Sequence, residues 1–261
     1  MSKTLILFCF SIFSALSNPI ELKISTRNES NIRYFEQLLE RSIHSIDQQV
    51  DITYIGALNY QRQISYFEAN KVNVIWRMRS KERDQKYRRI DVPLTQGKIA
   101  QRLLLVNVNN QSKFNNVKHL QDFIDSKSTG VFGENWYDVD VWRHNKLPYI
   151  ELSGDMSKIY QMLHHGNRGF DYFSRSIIEI ENELQAHPYL AIERNLIFSF
   201  DTDMYFYIQK DNDALYQLLT NALKSAEKQG IIEDLLFEFY GDLENKYGLA
   251  QRTHIPLSIP N

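Results

Sequence analysis

Between Ile20 and Trp76 the apolar residues switch repeatedly between a period of two and a period near 3.6, and few folds accommodate that pattern. Ile20, Leu22 and Ile24 alternate with Glu21, Lys23 and Ser25, as in a strand with one dry face. Ile32, Phe35, Leu39, Ile43 and Ile46 then recur at helical spacing. Residues 50–56 read as a second strand, Tyr60, Ile64 and Phe67 mark a second helix, and residues 72–76 read as a third strand. Strand–helix–strand–helix–strand order predicts an α/β architecture with parallel neighbours.

The same order recurs later. Residues 102–108 form an apolar strand led by an arginine, and the asparagine-rich stretch 107–116 reads as passage into a second lobe. Helices are expected around Leu120 and Leu163, with strands at 149–152, 170–173 and 190–193. Ser176 and Glu179 fit a capping box opening a further helix. The wholly apolar run 204–208 reads as a strand buried on both faces, returning to the first lobe. This organisation assigns 18–106 and 202–245 to lobe 1 and 107–201 to lobe 2. Residues 246–261 are then a loosely attached tail.

Residues 129–143, TGVFGENWYDVDVWR, read as strand, tight turn and helix. Gly130 and Gly133 would permit the turn, Asn135 would cap the helix, and Asp138 would sit in its first turn. A helix starting past a strand end points unpaired N–H groups at whatever lies there. Ligand groups gather at the carboxyl ends of strands in open parallel sheets. A cleft between two lobes built around this turn is therefore the expected site.

Residues 1–17 have the form of a secretory signal, with Lys3, an apolar run too short to span a bilayer, and small residues before a cleavage point after Ser17. Cleavage would remove Cys9, the only cysteine, and leave no thiol for disulfides or metal. It would also take the net charge from −2 to −3 by removing Lys3. The expected location is periplasmic.

The order of several motifs resembles the bacterial extracellular solute-binding proteins of family 3, in a divergent branch. They are Ser80-Lys81-Glu82-Arg83, Gln101-Arg102 before the crossover strand, Gly133-Glu134-Asn135-Trp136-Tyr137-Asp138, and the stretch Arg168–Asp171. The likeness covers residues 20–245. It implies the two-lobed type II periplasmic-binding fold with two interlobe crossovers, closing on a small polar solute and docking on a membrane permease. It also implies that Arg83 holds a ligand carboxylate, for which a planar fork is suited, and that Gly133, Glu134 and Asn135 donate from the turn. Amino-acid binders of the family carry an aspartate for the ligand ammonium; here Arg175 and Ser176 stand in that region. The expected ligand is therefore anionic or carboxylate-rich, held by Arg83 and Arg175 with Arg102. Trp136, Trp76 and Tyr54 are candidate walls.

Each candidate has a plainer alternative. Arg175 could pair with Glu179, Arg102 could form an interlobe ion pair, and the tryptophans could be core. The basic stretch 77–89, with seven Lys/Arg, lacks the aromatic series of a nucleic-acid surface. No metal-binding histidine spacing occurs, and Ser225-Ala226-Glu227-Lys228 lacks the companion motifs of a serine acylase. The chain is thus expected to be a monomeric, cofactor-free, non-enzymatic receptor without nucleic-acid partners. Its membrane partner would be a permease or, in the alternative, a sensor receptor.

Overall fold

The computed structural model describes residues 19–25, 30–46, 48–58, 60–166 and 168–260. The expected leader at 1–17 lies outside the described residues, as does Asn167, which precedes the Arg168–Asp171 stretch.

The alternation read from the sequence is present. Strand β1 (Ile20–Ser25), helix α1 (Ser30–His44), β2 (Val50–Ile55), α2 (Tyr60–Glu68) and β3 (Ile75–Met78) are followed by the short helix α3 (Lys81–Lys86) and β4 (Arg88–Arg89). Next come β5 (Gln101–Asn107), α4 (Leu120–Asp125), β6 (Gly130–Gly133), α5 (Tyr137–His144), β7 (Tyr149–Leu152), α6 (Lys158–His165) and β8 (Tyr172–Ser176). The remainder is α7 (Ile180–Ala186), β9 (Leu190–Ile192), β10 (Leu196–Phe200), β11 (Met204–Ile208), α8 (Asp213–Lys228), α9 (Ile231–Tyr240), α10 (Leu243–Tyr247) and β12 (Thr253–Leu257). Among the described residues no helix is long and apolar enough to cross a membrane.

Among the described residues the strands form three sheets. β1 and β2 pair in parallel from Ile20 against Val50 to Ser25 against Ile55. β11 lies between β3 and β4, antiparallel to both. The large sheet runs β12-β10-β5-β8-β6-β7, with β9 also on β5. It mixes parallel pairs (β6 with β7 and β8) with the antiparallel pairs of β5. The third strand starts at Ile75 rather than at 72 because Asn73 meets β1 with its side chain. Its Nδ2 donates to Glu21 O (2.7 Å), its Oδ1 accepts Lys23 N (2.7 Å), and its own N–H donates to Lys23 O (2.9 Å). That amide joins the two small sheets without a regular ladder.

The last segment is a correction. Residues 246–261 are no loose tail, since β12 pairs in parallel with β10 and buries Ile255 and Leu257. The sequence there looks polar because one strand face is solvated.

The return from the large sheet to β11 is pinned by Asp203, which is 3% exposed. Its Oδ1 accepts Thr95 N (2.9 Å), Thr95 Oγ1 (2.7 Å) and Met204 N (2.6 Å), and its Oδ2 accepts Gly97 N (2.5 Å). Those bonds tie the segment leading into β5 to the one leaving β10. Removing the carboxylate strands buried donors, each worth roughly 1–3 kcal/mol. Asp203→Ala is therefore expected to lower the unfolding free energy by about 3 kcal/mol in urea titrations. A loss below about 1 kcal/mol would show that the crossover does not depend on it.

Candidate functional site

A groove of about 820 Å³ lies between α3 and α5. One wall is Ser80–Arg83 and the other is Asn135–Tyr137 continuing along α5 through Asp140, Arg143 and His144 to Lys146. Glu151 and Pro260 complete it.

The α3 wall exists because Ser80 caps the helix, accepting Arg83 N at 3.2 Å. Arg83 Nη1 donates to Met78 O (2.7 Å), which fixes the guanidinium at the end of β3. Behind it Asp84 gathers the basic stretch: its Oδ2 accepts Arg79 Nε (3.0 Å) and Arg89 Nη1 (2.6 Å), and its Oδ1 accepts Tyr207 OH (3.0 Å). Lys86 pairs with Glu68, and Arg88 with Asp213. Much of the positive charge in residues 77–89 is therefore balanced locally.

The opposite wall follows the expected strand–turn–helix, with different roles for its residues. Gly130 and Gly133 are not among the positive-φ residues, so backbone freedom is not why they are glycine. A Cβ at Gly133 would lie 2.4 Å from Trp136 Nε1, and one at Gly130 would lie 2.8 Å from the Tyr172 ring. Both glycines make room for rings. Asn135 does not cap the helix; it adopts φ +62°, and Trp136 holds the cap position without a side-chain cap bond. Two of the amides at the turn are engaged, because Glu134 N donates to Leu152 O (3.0 Å) and Trp136 N to Gly133 O (3.2 Å). The turn therefore does not present the Glu134 and Trp136 amides to a ligand.

Two of the three candidate arginines are committed elsewhere. Arg102 is 3% exposed; its Nη2 donates to Asp138 Oδ2 (2.9 Å) and its Nη1 lies 3.5 Å from Glu179 Oε2. Arg175 pairs with Glu179 (3.2 Å) and Glu183 (2.6 Å), and its guanidinium lies over Trp136, 5.1 Å from the ring centroid. Burial works against the Arg175 charge, but the Glu179 and Glu183 carboxylates outweigh it and raise its pKa. Three carboxylates share two guanidiniums here. Burial lifts Asp138 and Glu183 above the usual carboxylate range despite the arginines.

The other candidates are dispersed. Ser176 is buried, donates to Lys98 O (3.0 Å) and accepts Ile178 N (3.3 Å), so it opens no capping box, and α7 starts later at Ile180. Trp76 is core, stacked on Phe35 at 5.5 Å. Tyr54 is 44% exposed on β2 and hydrogen-bonds Glu40. The structure thus brings Arg83, Asn135 and Trp136 to one groove and leaves Arg102, Arg175, Ser176, Trp76 and Tyr54 out of its lining. Sequence reasoning missed Lys81, Arg143 and Lys146, whose only signal was proximity to the two motifs, and Pro260, which had none because β12 brings it there from far along the chain.

No protein-family model matches the chain, and no curated protein does. Among solved structures, it is similar to the probable amino-acid ABC transporter extracellular-binding protein ytmK of Bacillus subtilis at 14% identity, covering 86% of this chain and 98% of that one with a TM-score of 0.63. It is also similar to AncCDT-1, an ancestral amino-acid-binding protein described as a precursor of cyclohexadienyl dehydratase (13% identity, 84% and 95% covered, TM-score 0.61). A third similar structure is AbpA, an amino-acid ABC transporter substrate-binding protein of Streptococcus pneumoniae bound to L-arginine (12%, 84% and 94%, 0.59). At these identities the shared property is the fold, the two-lobed type II periplasmic-binding architecture.

Two outcomes follow from the geometry. Gly133→Ala displaces the Trp136 indole, so its emission should shift to the red and stability should fall by about 1–3 kcal/mol; an unchanged spectrum would contradict the packing. An acid whose folded pKa is raised contributes stability that is present below its unfolded value and lost as pH rises toward the folded one. The stability advantage of the native chain over Asp138→Asn should therefore narrow from pH 4 toward pH 8. Widening would mean that Arg102 outweighs burial.

Proposed function

We propose that the chain is an extracytoplasmic solute receptor that holds a small carboxylate-bearing, amino-acid-like solute in the groove between α3 and α5 and delivers it to a membrane permease. In this reading α3 and the small sheets belong to lobe 1, α5 and the large sheet belong to lobe 2, and the ligand is enclosed as the lobes close.

The observation that supports it best is the groove itself, flanked by side chains of both signs. Arg83 and Lys81 face it from one wall and Lys146 from the other, while Glu82, Asp140 and Glu151 also line it. Arg143 is neutralised by Asp140 (2.7 Å) and lies 3.5 Å from Glu151. A mixed lining suits a zwitterion, with Arg83 as the carboxylate fork and an acidic side chain for a cationic group. The purely anionic ligand expected from three convergent arginines loses its support, because Arg102 and Arg175 are spent on Asp138, Glu179 and Glu183.

Thermal shift against amino acids and dicarboxylates tests the proposal. A ligand at a hundred times its Kd stabilises by about 2.7 kcal/mol and raises the melting temperature. At least one amino acid should do so, and Arg83→Ala should weaken it by about tenfold or more. No shift across the panel, or an undiminished shift in Arg83→Ala, would refute it.

A further inference from the structure

Beyond β12 the chain does not drift into solvent. Asn145 Nδ2 donates to Ser258 O at 2.7 Å, and Ser258 N donates to Asn145 Oδ1 at 3.0 Å. A side-chain amide that both gives to and takes from one residue's backbone imitates a rung of a strand ladder. Ile259 next to it packs against the core, and Pro260 lines the groove. The segment is therefore held three times, by the β12–β10 pairing, by the Asn145 clamp and by Ile259.

The clamp also fixes which end of the groove the segment occupies. Asn145 is the C-cap of α5, whereas Asn135 and Trp136 precede its first residue. A helix of this length spans about 12 Å. Pro260, two residues past the clamp, lies within about 7 Å of Ser258. The segment that carries it is thus tied to the carboxyl end of α5, the end opposite the turn at Gly133. A proline ring there offers no N–H to a ligand, and its place is limited by the packing of the preceding Ile259 against the core.

We infer that residues 258–260 form the end wall of the groove and set the greatest length of ligand it accepts. The inference rests on the groove being the ligand site. The wall is carried by the large sheet, since β12 pairs with β10 and β10 with β5, and Pro260 lines the same groove as Ser80–Arg83. A solute whose carboxylate lies at Arg83 would extend along α5 until it met Pro260.

The test is a ladder of probes from a free amino acid through its dipeptide and tripeptide, titrated calorimetrically into the intact chain, a chain ending at Leu257, and Asn145→Ala. The intact chain should show a length beyond which affinity drops. The shortened chain should recover about tenfold or more for the first rejected length, and Asn145→Ala, which keeps every residue of the segment, should recover part of it. If the shortened chain does not fold, Asn145→Ala carries the test. An unchanged cut-off in the variants would overturn the wall while leaving the groove as the site. An equal loss for all lengths would also overturn it, because the segment would then be holding the ligand or the fold. Failure of every probe to bind any of the three chains would overturn the groove reading itself.

Discussion

Arg102 is buried with almost no water around it, and the surrounding structure is arranged to tolerate that. Its strand, β5, enters the large sheet; Asp138 comes from α5, Glu179 from the turn after β8, and Met78 Sδ, from β3, lies 3.9 Å away. Elements far apart in sequence therefore meet at one guanidinium. Taking an ion out of water costs several kcal/mol, and removing one partner of such a pair typically costs about 3–5 kcal/mol. The position of α5 against β5 is consequently well determined, and with it one wall of the groove.

Around that centre the charges are grouped by function. Arg175 shares Glu179 with the Arg102 cluster and lies against Trp136, whose indole occupies the space a Cβ on Gly133 would fill. On the other wall Asp84 takes up Arg79, Arg89 and the Tyr207 hydroxyl, leaving Arg83 anchored to Met78 O at the groove. Cations that support the scaffold are paired with carboxylates of the scaffold. The groove is left with both signs, which is why the ligand reading moves from an anion to an amino-acid-like solute.

The periodicity in the sequence was sufficient for the α/β alternation, for β11 as a buried strand, and for the strand–turn–helix at 129–143, because each depends on local pattern and on burial of one face. What it did not reveal depends on distant partners. Nothing near Arg102 in sequence distinguishes a ligand-binding guanidinium from one neutralised by Asp138, whereas Arg175 had a candidate partner four residues on, Glu179, with which it does pair (3.2 Å). Asn73 replaces a strand rung with its side chain, so its stretch looked more regular than it is. Gly130 and Gly133 suggested a turn, but the rings they make room for, Tyr172 and Trp136, appear only when the chain is folded. Residues 246–261 looked loosely attached because their partners, β10 and Asn145, lie far upstream, Asn145 by 113 residues from Ser258, beyond any local signal.

Solute capture between α3 and α5 is the proposal that the fold, the charge cluster around Arg102 and the mixed lining of the groove support. Hydrogen–deuterium exchange with and without the ligand found by thermal shift locates binding most directly. Slowed exchange in residues 80–83 and 135–146 is the result expected here. Protection confined to other surfaces, with these two segments unchanged, would contradict the account.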